Sequence, residues 1–151
     1  RERPRCRIVA CDVSAAALAV AQRNAARLGQ QNVQFLHGTW YEPLADMRFD
    51  VILSNPPYIR TDDPHLQAGD VRFDPRCALI AGDDGLDDLR TIIANAPAYL
   101  RPCGWLLVEH GYDQGAAVAA LFAQARFEAI ETVRDLGGQP RVSLGQWEAC
   151  R

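Results

Sequence analysis

The sequence lacks an apolar run close to the roughly 20 residues that a membrane-spanning helix needs, and its charged first residues show no secretory signal. An excess of basic residues is also missing, because the net charge is −3. Proteins that bind nucleic acid alone usually carry a basic patch or stripe, so this balance makes a nucleic-acid substrate unlikely. With 48% apolar and 23% charged residues among 151, the composition is typical of a globular domain. We predict one domain over residues 1–151, without a membrane partner.

Spacings typical of a metal site are absent as well. The five cysteines form no C-x-x-C pair, and their number is odd. The three histidines, His37, His65 and His110, show no metal-binding spacing, so we expect structural roles for them. A further set of acids fits solvated or helix-capping positions, namely Asp62, Asp63, Asp83, Asp84, Asp87 and Asp88. We therefore predict no metal, and we expect free, mostly buried thiols in a reducing cytoplasm.

Short apolar segments alternate with segments of helical periodicity. Ser14 is expected to cap a helix with Leu18 and Leu28 on its inner face, and Asp84 a later one. The run at residues 51–53 predicts a strand covered on both faces. The pattern predicts an α/β fold with a mostly parallel sheet and a closing antiparallel strand pair. The predicted strands lie at residues 7–11, 33–36, 49–54, 104–109, 127–134 and 141–147.

The segment over residues 59–82 contains two prolines and two glycines and shows no clear periodicity. We predict a long ordered loop with one short helical turn near His65. Loops of this length inside a compact domain are usually functional, because they are otherwise costly to order.

Asp12 stands at the predicted carboxyl end of the first strand, before a capped helix. In doubly wound folds an acidic side chain at this place accepts hydrogen bonds from both ribose hydroxyls of a nucleotide. A helix-flanking acid that favours the helix N-terminus explains the position equally well, so Asp12 alone leaves both interpretations open.

Asn55-Pro56-Pro57-Tyr58 follows a predicted buried strand. The prolines fix the backbone and remove two N–H donors, which leaves the Pro56 carbonyl and the Asn55 side-chain oxygen as acceptors. A planar NH2 group could donate one hydrogen to each while Tyr58 stacks on its flat face. A rigid turn is the alternative, but the position at the carboxyl edge of a sheet favours a ligand site.

With this motif the sequence resembles the Rossmann-like S-adenosylmethionine methyltransferases, whose amino-methylating members carry Asn, Asp or Ser, then Pro-Pro and an aromatic residue. It is most similar to the HemK/PrmC-type enzymes, which methylate the glutamine of the Gly-Gly-Gln loop in class I peptide chain release factors. Adenine methyltransferases of DNA and RNA share the motif, whereas residues 63–75 and 109–111 are similar to the release-factor enzymes in particular. The resemblance is carried by Ala10 to Ser14, Ala21 to Ala25, Ser54 to Ile59, Asp63 to Leu66, Gly69 to Phe73, Glu109 to Gly111, and Arg141-Val142.

The resemblance implies S-adenosylmethionine as cofactor, with Asp12 on its ribose and Trp40 beside its adenine. It implies that Asn55 touches the methionine end of the cofactor and that residues 55–58 clamp the substrate glutamine. Thr39 stands where the family often has aspartate, so the adenine contact is expected to fall to backbone atoms. The family's glycine-rich cofactor loop is expected before residue 1, so we expect a partial domain that folds marginally and binds the cofactor poorly.

Three other functions stay open at this point. A glutamine methyltransferase acting on a ribosomal protein fits the same chemistry, and so does an N6-adenine methyltransferase of DNA or RNA. A non-catalytic Rossmann-like binding module is the third. Gly137-Gly138-Gln139 repeats the substrate motif, but a turn between strands explains it better than self-modification.

Overall fold

The computed structural model describes residues 5–67 and 75–148, and these residues form two compact units that divide between Met47 and Arg48. Short helices of the 3-10 type occur at Glu42–Leu44, Pro64–Gln67, Arg76–Ala78 and Ala96–Ala98. The strands and α-helices are β1 (Ile8–Asp12), α1 (Ala15–Arg27), β2 (Val33–His37), β3 (Phe49–Ser54), α2 (Asp87–Asn95), β4 (Leu100–Glu109), α3 (Gly115–Gln124), β5 (Glu128–Arg134) and β6 (Pro140–Gln146).

The first unit pairs β1 with β2 in parallel, and α1 connects them. Ser14 caps α1 as predicted, because its side chain accepts a hydrogen bond from the backbone N–H of Ala17 at 3.2 Å. Leu18 is buried, but Leu28 is 48% exposed, so its predicted inward position is wrong. The last turn of α1 ends at Leu28, where Gly29 adopts a left-handed φ of 66° and turns the chain away.

The second unit is built on a four-stranded sheet in the order β3-β4-β6-β5. β3 and β4 are parallel, whereas β6 is antiparallel to both β4 and β5, which confirms the predicted closing pair. The expectation that β3 is covered on both faces is wrong, because Val51 and Leu53 are 51% and 73% exposed. Val51 and Leu53 lie on one face of β3, which the described residues leave exposed, whereas Ile52 on the opposite face is half-buried.

The core of the second unit lies where α2 and α3 cover the sheet. Leu89 and Phe122 from the helices and Leu106 from β4 are completely buried, and each such side chain contributes about 1.5–3 kcal/mol. α2 begins at Asp87, three residues later than the predicted cap at Asp84. The Asp84 carboxylate instead accepts from the Leu86 N–H and pairs with Arg90 further along the helix. This pairing with Arg90 lowers the pKa of Asp84.

The expectation for the cysteines is wrong in two respects. Cys6, Cys11 and Cys77 are free but exposed, and Cys103 is disulfide-bonded. An odd count requires only that at least one cysteine stays unpaired, and the lack of a C-x-x-C pair argues only against pairing between close neighbours, so neither excludes a disulfide at Cys103.

Within the residues described, no helix combines the length and apolar character needed to cross a membrane. The predicted helical turn near His65 is confirmed as Pro64–Gln67. The stretch Gly69 to Phe73, which helps to carry the family resemblance, lies outside the described residues.

Candidate active site

The Asn55-Pro56-Pro57-Tyr58 motif follows directly after β3, at the carboxyl end of the parallel pair formed with β4. Asn55 is exposed and Pro56 is buried. The buried ring anchors the start of the loop, while the side chain of Asn55 remains accessible to a ligand. The structure therefore places the motif as the sequence predicted, although the roles of its residues in binding stay a prediction.

Tyr58 is held at both ends. Its hydroxyl donates a hydrogen bond to Oε1 of Glu109 at 3.2 Å, and its carbonyl accepts one from Nε2 of Gln114 at 3.0 Å. Partial burial and the negative charge of Glu109 raise the pKa of Tyr58, and the positive charge of Arg141 opposes this. The raised pKa keeps the phenol protonated, so Tyr58 remains a hydrogen-bond donor to Glu109.

The backbone after the motif is fixed by a second set of contacts. Ile59 forms a parallel bridge to Ile80: its N–H donates to the Leu79 carbonyl at 2.8 Å, and its carbonyl accepts from Ala81 at 3.0 Å. Thr61 donates through both its N–H and its hydroxyl to the Gly82 carbonyl. Both ends of the predicted long loop are thus ordered, and they lie against each other.

An open cleft of about 320 Å³ lies at the carboxyl ends of β3 and β4. Ser54, Asn55 and Glu109 are its polar lining residues, so a hydroxyl, an amide and a carboxylate border one space. This lining can hold an NH2 group by its hydrogens and favours positive charge on the nitrogen. The full lining consists of Leu53, Ser54, Asn55, Leu107, Glu109 and Val142.

His110 follows Glu109 and is completely buried. Its Nδ1 lies 2.8 Å from the Gly111 carbonyl, which can only accept, so Nδ1 carries the hydrogen. Nε2 lies 2.9 Å from the Ser143 hydroxyl, which also contacts Thr132. The predicted structural role of His110 is confirmed.

The structural interpretation also holds for His37, whose Nε2 contacts the Val13 carbonyl at 2.9 Å. Among the described residues no group of three histidine, cysteine or acidic side chains could hold a metal ion.

Asp12 and Trp40 lie at the same edge of the β1–β2 pair in the first unit. Oδ1 of Asp12 accepts from the Ser14 N–H at 2.7 Å, and Trp40 accepts through its carbonyl from the Cys11 thiol at 3.3 Å. Asp12 is exposed and Trp40 is half-buried. Both interpretations of Asp12 are compatible with this geometry, because the carboxylate supports the helix entry and is also accessible.

The backbone near Trp40 is irregular. Trp40 adopts a positive φ of 46°, and the N–H of Thr39 is engaged by the Glu42 carboxylate at 3.2 Å. Partial withdrawal from water and the adjacent Asp12 carboxylate raise the pKa of the Cys11 thiol. Cys11 is therefore protonated near neutral pH and donates to Trp40.

Gly137 to Gln139 form the tight connection between β5 and β6, as the turn interpretation predicted. The Asp135 carboxylate accepts from the N–H groups of Gln139 and Gly137, at 2.9 and 2.8 Å. These backbone hydrogen bonds lower the pKa of Asp135. The repeated motif is thus accounted for by turn chemistry.

Sequence reasoning missed Gln114 and Ser143. Gln114 contacts Tyr58, which is 56 residues away in sequence, and Ser143 contacts His110 across 33 residues. Neither residue stands in a motif, and only the paired strands and packed helices bring these partners together.

Comparisons with known proteins agree with the resemblance seen in the sequence. A family model described as Methyltransferase small domain matches residues 1–71. Release factor glutamine methyltransferases are 55% identical over 145 residues in Xylella fastidiosa (96% of this chain, 53% of the relative) and 52% identical over 149 residues in Pseudomonas aeruginosa (99% and 54%). The chain spans about half the length of these relatives. The resemblance to the glutamine methyltransferases of release factors is confirmed.

Solved methyltransferase structures share the fold. A methyltransferase from Pyrococcus furiosus superimposes with a TM-score of 0.69 at 19% identity, over 96% of this chain and 64% of that one. The 16S rRNA N2 G1207 methyltransferase of Thermus thermophilus, in complex with AdoMet and guanosine, gives a TM-score of 0.62 at 20% identity, over 91% and 30%. These likenesses confirm the predicted Rossmann-like α/β fold of methyltransferases.

Proposed function

We propose that this relative of the release factor glutamine methyltransferases transfers a methyl group from S-adenosylmethionine to a glutamine side chain, namely the glutamine of the Gly-Gly-Gln motif in class I peptide chain release factors. The relatives named for that activity support the substrate. The observation that carries the chemistry is the exposed Asn55 beside Glu109 at a cleft, on a loop whose Tyr58 is fixed at both ends. Such an enzyme works in the cytoplasm, where its substrate acts.

The exposed side chain of Asp12 and the half-buried side chain of Trp40 are suited to bind S-adenosylmethionine. The accessible Asp12 carboxylate is suited to accept from two ribose hydroxyls, and the half-buried Trp40 offers an aromatic face beside an adenine. Asn55 is proposed to contact the methionine end. When bound, this cofactor supplies a methyl group that is already strongly electrophilic, so the protein has mainly to orient the nucleophile.

An amide nitrogen is a weak nucleophile because its lone pair is delocalised into the carbonyl. One NH2 hydrogen donates to the Asn55 oxygen and the other to the Pro56 carbonyl. Held in this way, the nitrogen directs its lone pair at the methyl carbon. S-adenosylmethionine, held by Asp12, Trp40 and Asn55, would supply the methyl group, whose new bond to nitrogen would replace its bond to sulfur and leave that electron pair on sulfur. The nitrogen then loses one proton to water.

Glu109 and Tyr58 have supporting roles in this proposal. The carboxylate of Glu109 lines the cleft and favours the positive charge that builds on nitrogen during transfer. Tyr58 orients that carboxylate by its hydroxyl and offers its ring to the flat face of the amide.

The test uses the longest natural chain that contains residues 1–151, incubated with S-adenosylmethionine and a purified class I release factor. Mass spectrometry of the Gly-Gly-Gln peptide should show one added methyl group on the glutamine. Asn55→Ala should lower the turnover number at least about a hundredfold, because the substrate nitrogen loses its alignment. Asn24→Ala, on the exposed face of α1, is the matched control and should keep normal turnover.

Other outcomes would redirect the proposal. Methylation of a ribosomal protein and not of the release factor would retain the amide chemistry and replace the substrate. Methylation of DNA or RNA, with binding that weakens steeply as salt rises, would favour an adenine methyltransferase. Normal turnover in Asn55→Ala would remove the role assigned to that side chain.

A further inference from the structure

The side-chain amide of Gln114 joins three separate parts of the second unit. Its Oε1 accepts from the Gly111 N–H at 2.7 Å, just after the Glu109-His110 strand end. Its Nε2 donates to the Tyr58 carbonyl at 3.0 Å and lies 3.2 Å from the Gly85 carbonyl. Both ends of one amide are therefore occupied by backbone groups of the motif, of the strand end and of the turn before α2.

The approach of Tyr58 to this turn is unusually close. Gly85 is buried, has a positive φ of 72°, and a Cβ atom there would lie 2.4 Å from the Tyr58 carbonyl oxygen. The same Cβ would lie 2.8 Å from Nε2 of Gln114. The carbonyl oxygens of Tyr58 and Gly85 both lie within hydrogen-bond distance of Nε2 of Gln114, so one NH2 group serves two acceptors at this close approach.

We propose that Gln114 is a positioning residue for methyl transfer: it fixes the motif and the Glu109 strand end in one register, so that Asn55 and Glu109 face the cleft together. This inference rests on the proposed function. Tyr58 connects the two strand ends, because its hydroxyl donates to Glu109 and its carbonyl accepts from Gln114. Gln114 in turn holds Gly111, two residues after Glu109, which closes a ring of contacts.

The ring explains why Gln114 acts on the rate and not on binding. Gln114 is not among the residues that line the cleft with Asn55, so its removal leaves the substrate contacts in place. It does release the Tyr58 carbonyl, and a displacement of about 1 Å in a reacting group costs up to about a hundredfold in rate. The expected signature is a lower kcat at nearly constant KM.

The first experiment measures methylation of the release factor by the longest natural chain containing residues 1–151. Gln114→Ala should lower kcat roughly ten- to a hundredfold and change KM by less than about threefold. Gln124→Ala, at the exposed far end of α3, is the matched control and should change neither. A normal kcat in Gln114→Ala overturns the inference.

Gln114→Glu tests the two hydrogen bonds of the Gln114 side chain separately. Its carboxylate still accepts from the Gly111 N–H, but when ionised it cannot donate to Tyr58. The surrounding carbonyls disfavour ionisation and Arg60 favours it, while Asp84, Asp113 and Tyr58 are the other titratable groups of the adjoining cavity. The kcat of this variant, relative to wild type, should therefore recover as pH falls and the protonated acid donates to Tyr58. A constant ratio at all pH values contradicts the proposed donation.

An activity-independent measurement separates this inference from the proposed function. Amide hydrogen exchange of Gly111 should be slow in wild type and in Gln114→Glu, and at least about tenfold faster in Gln114→Ala. An inactive wild type would refute the proposed function alone. Unchanged amide exchange of Gly111 in Gln114→Ala would refute the positioning role of Gln114, whatever the activity.

Discussion

The two strand ends that carry the candidate ligand-binding residues are organised differently. Asp12 is supported by a hydrogen bond from Ser14, two residues further along the chain. Tyr58 is held by Glu109 and Gln114, which are 51 and 56 residues away. The first arrangement follows from the local chain path, whereas the second exists only when the sheet and helices of the second unit are assembled.

The cores of the two units differ in the same direction. Of the described residues in the first unit, the buried hydrophobic ones are Leu18, Tyr41 and Leu44. The fully buried large side chains all belong to the second unit, namely Phe122, Leu89, Ile92, Ile93, Leu106, His110, Val108, Val118 and Ser143. The motif that we propose to align a weak nucleophile thus stands on the unit with the larger core.

The difference indicates that the motif around Tyr58 is held rigidly, whereas Asp12 is held by a local contact and stays accessible. Local contacts such as the one between Asp12 and Ser14 form cheaply, because little chain entropy is lost. Contacts across 50 residues need a folded core, but they hold a carbonyl to a fraction of an ångström. We expect substitutions around Tyr58 to affect the whole unit, and substitutions around Asp12 to have local consequences.

We expect the largest effect from Gly85→Ala, because it disturbs the contacts of Tyr58 that distinguish the second unit. The left-handed backbone costs an alanine about 1–2 kcal/mol, and the collision with the Tyr58 carbonyl adds about 1–3 kcal/mol. We expect a loss of roughly 2–5 kcal/mol in the free energy of unfolding, measured by urea denaturation, together with a large loss of turnover.

Gly138→Ala is the matched control for Gly85→Ala. Gly138 has a similar φ of 80° in the same unit, but a Cβ there meets nothing within 4 Å. It should lose about 1–2 kcal/mol. Equal losses in the two variants would mean that the close approach to Tyr58 adds no constraint.

Tyr58→Phe tests the other long-range contact of the same residue, the hydrogen bond from its hydroxyl to Glu109. Removing the hydroxyl leaves Glu109 without this donor and should cost about 1.5 kcal/mol near neutral pH. Because the folded-state pKa of Tyr58 lies above its ordinary value of 10.0, its contribution is present below that pH and is lost as pH rises through the folded-state pKa.

The stability difference between wild type and Tyr58→Phe should therefore shrink in the alkaline range. Urea denaturation over a series of pH values measures it. Tyr112→Phe, at an exposed tyrosine of the same unit, is the matched control. A difference that stays constant above about pH 10 would contradict the assigned direction of the pKa.

The sequence predicted what local chemistry determines. Ser14 is a helix cap by residue type and position, and the stiffness of Asn55 to Tyr58 follows from two adjacent prolines. The turn at Gly137 to Gln139 was likewise predicted from its composition.

The contacts that organise the site were beyond the sequence alone. A glutamine before a helix gives no sign that its amide binds a carbonyl 56 residues earlier, because the partner is chosen by packing. The exposure of Leu53 was missed for a related reason: an apolar run does not reveal whether both faces of its strand are covered.

Asp12→Asn has the smallest expected effect and tests whether the first unit binds the cofactor through a locally built site. An asparagine oxygen can still accept from the Ser14 N–H, so the helix entry should be preserved. The loss of charge weakens hydrogen bonds from ribose hydroxyls, since charge-assisted bonds are about twice as strong as neutral ones. Calorimetry with the longest natural chain should show about fivefold weaker binding of S-adenosylmethionine, whereas Asp46→Asn, at an exposed acid of the same unit, should bind normally. Unchanged affinity in Asp12→Asn would reduce Asp12 to its helix-flanking role, and the cofactor would then have to be held by residues outside those assigned here.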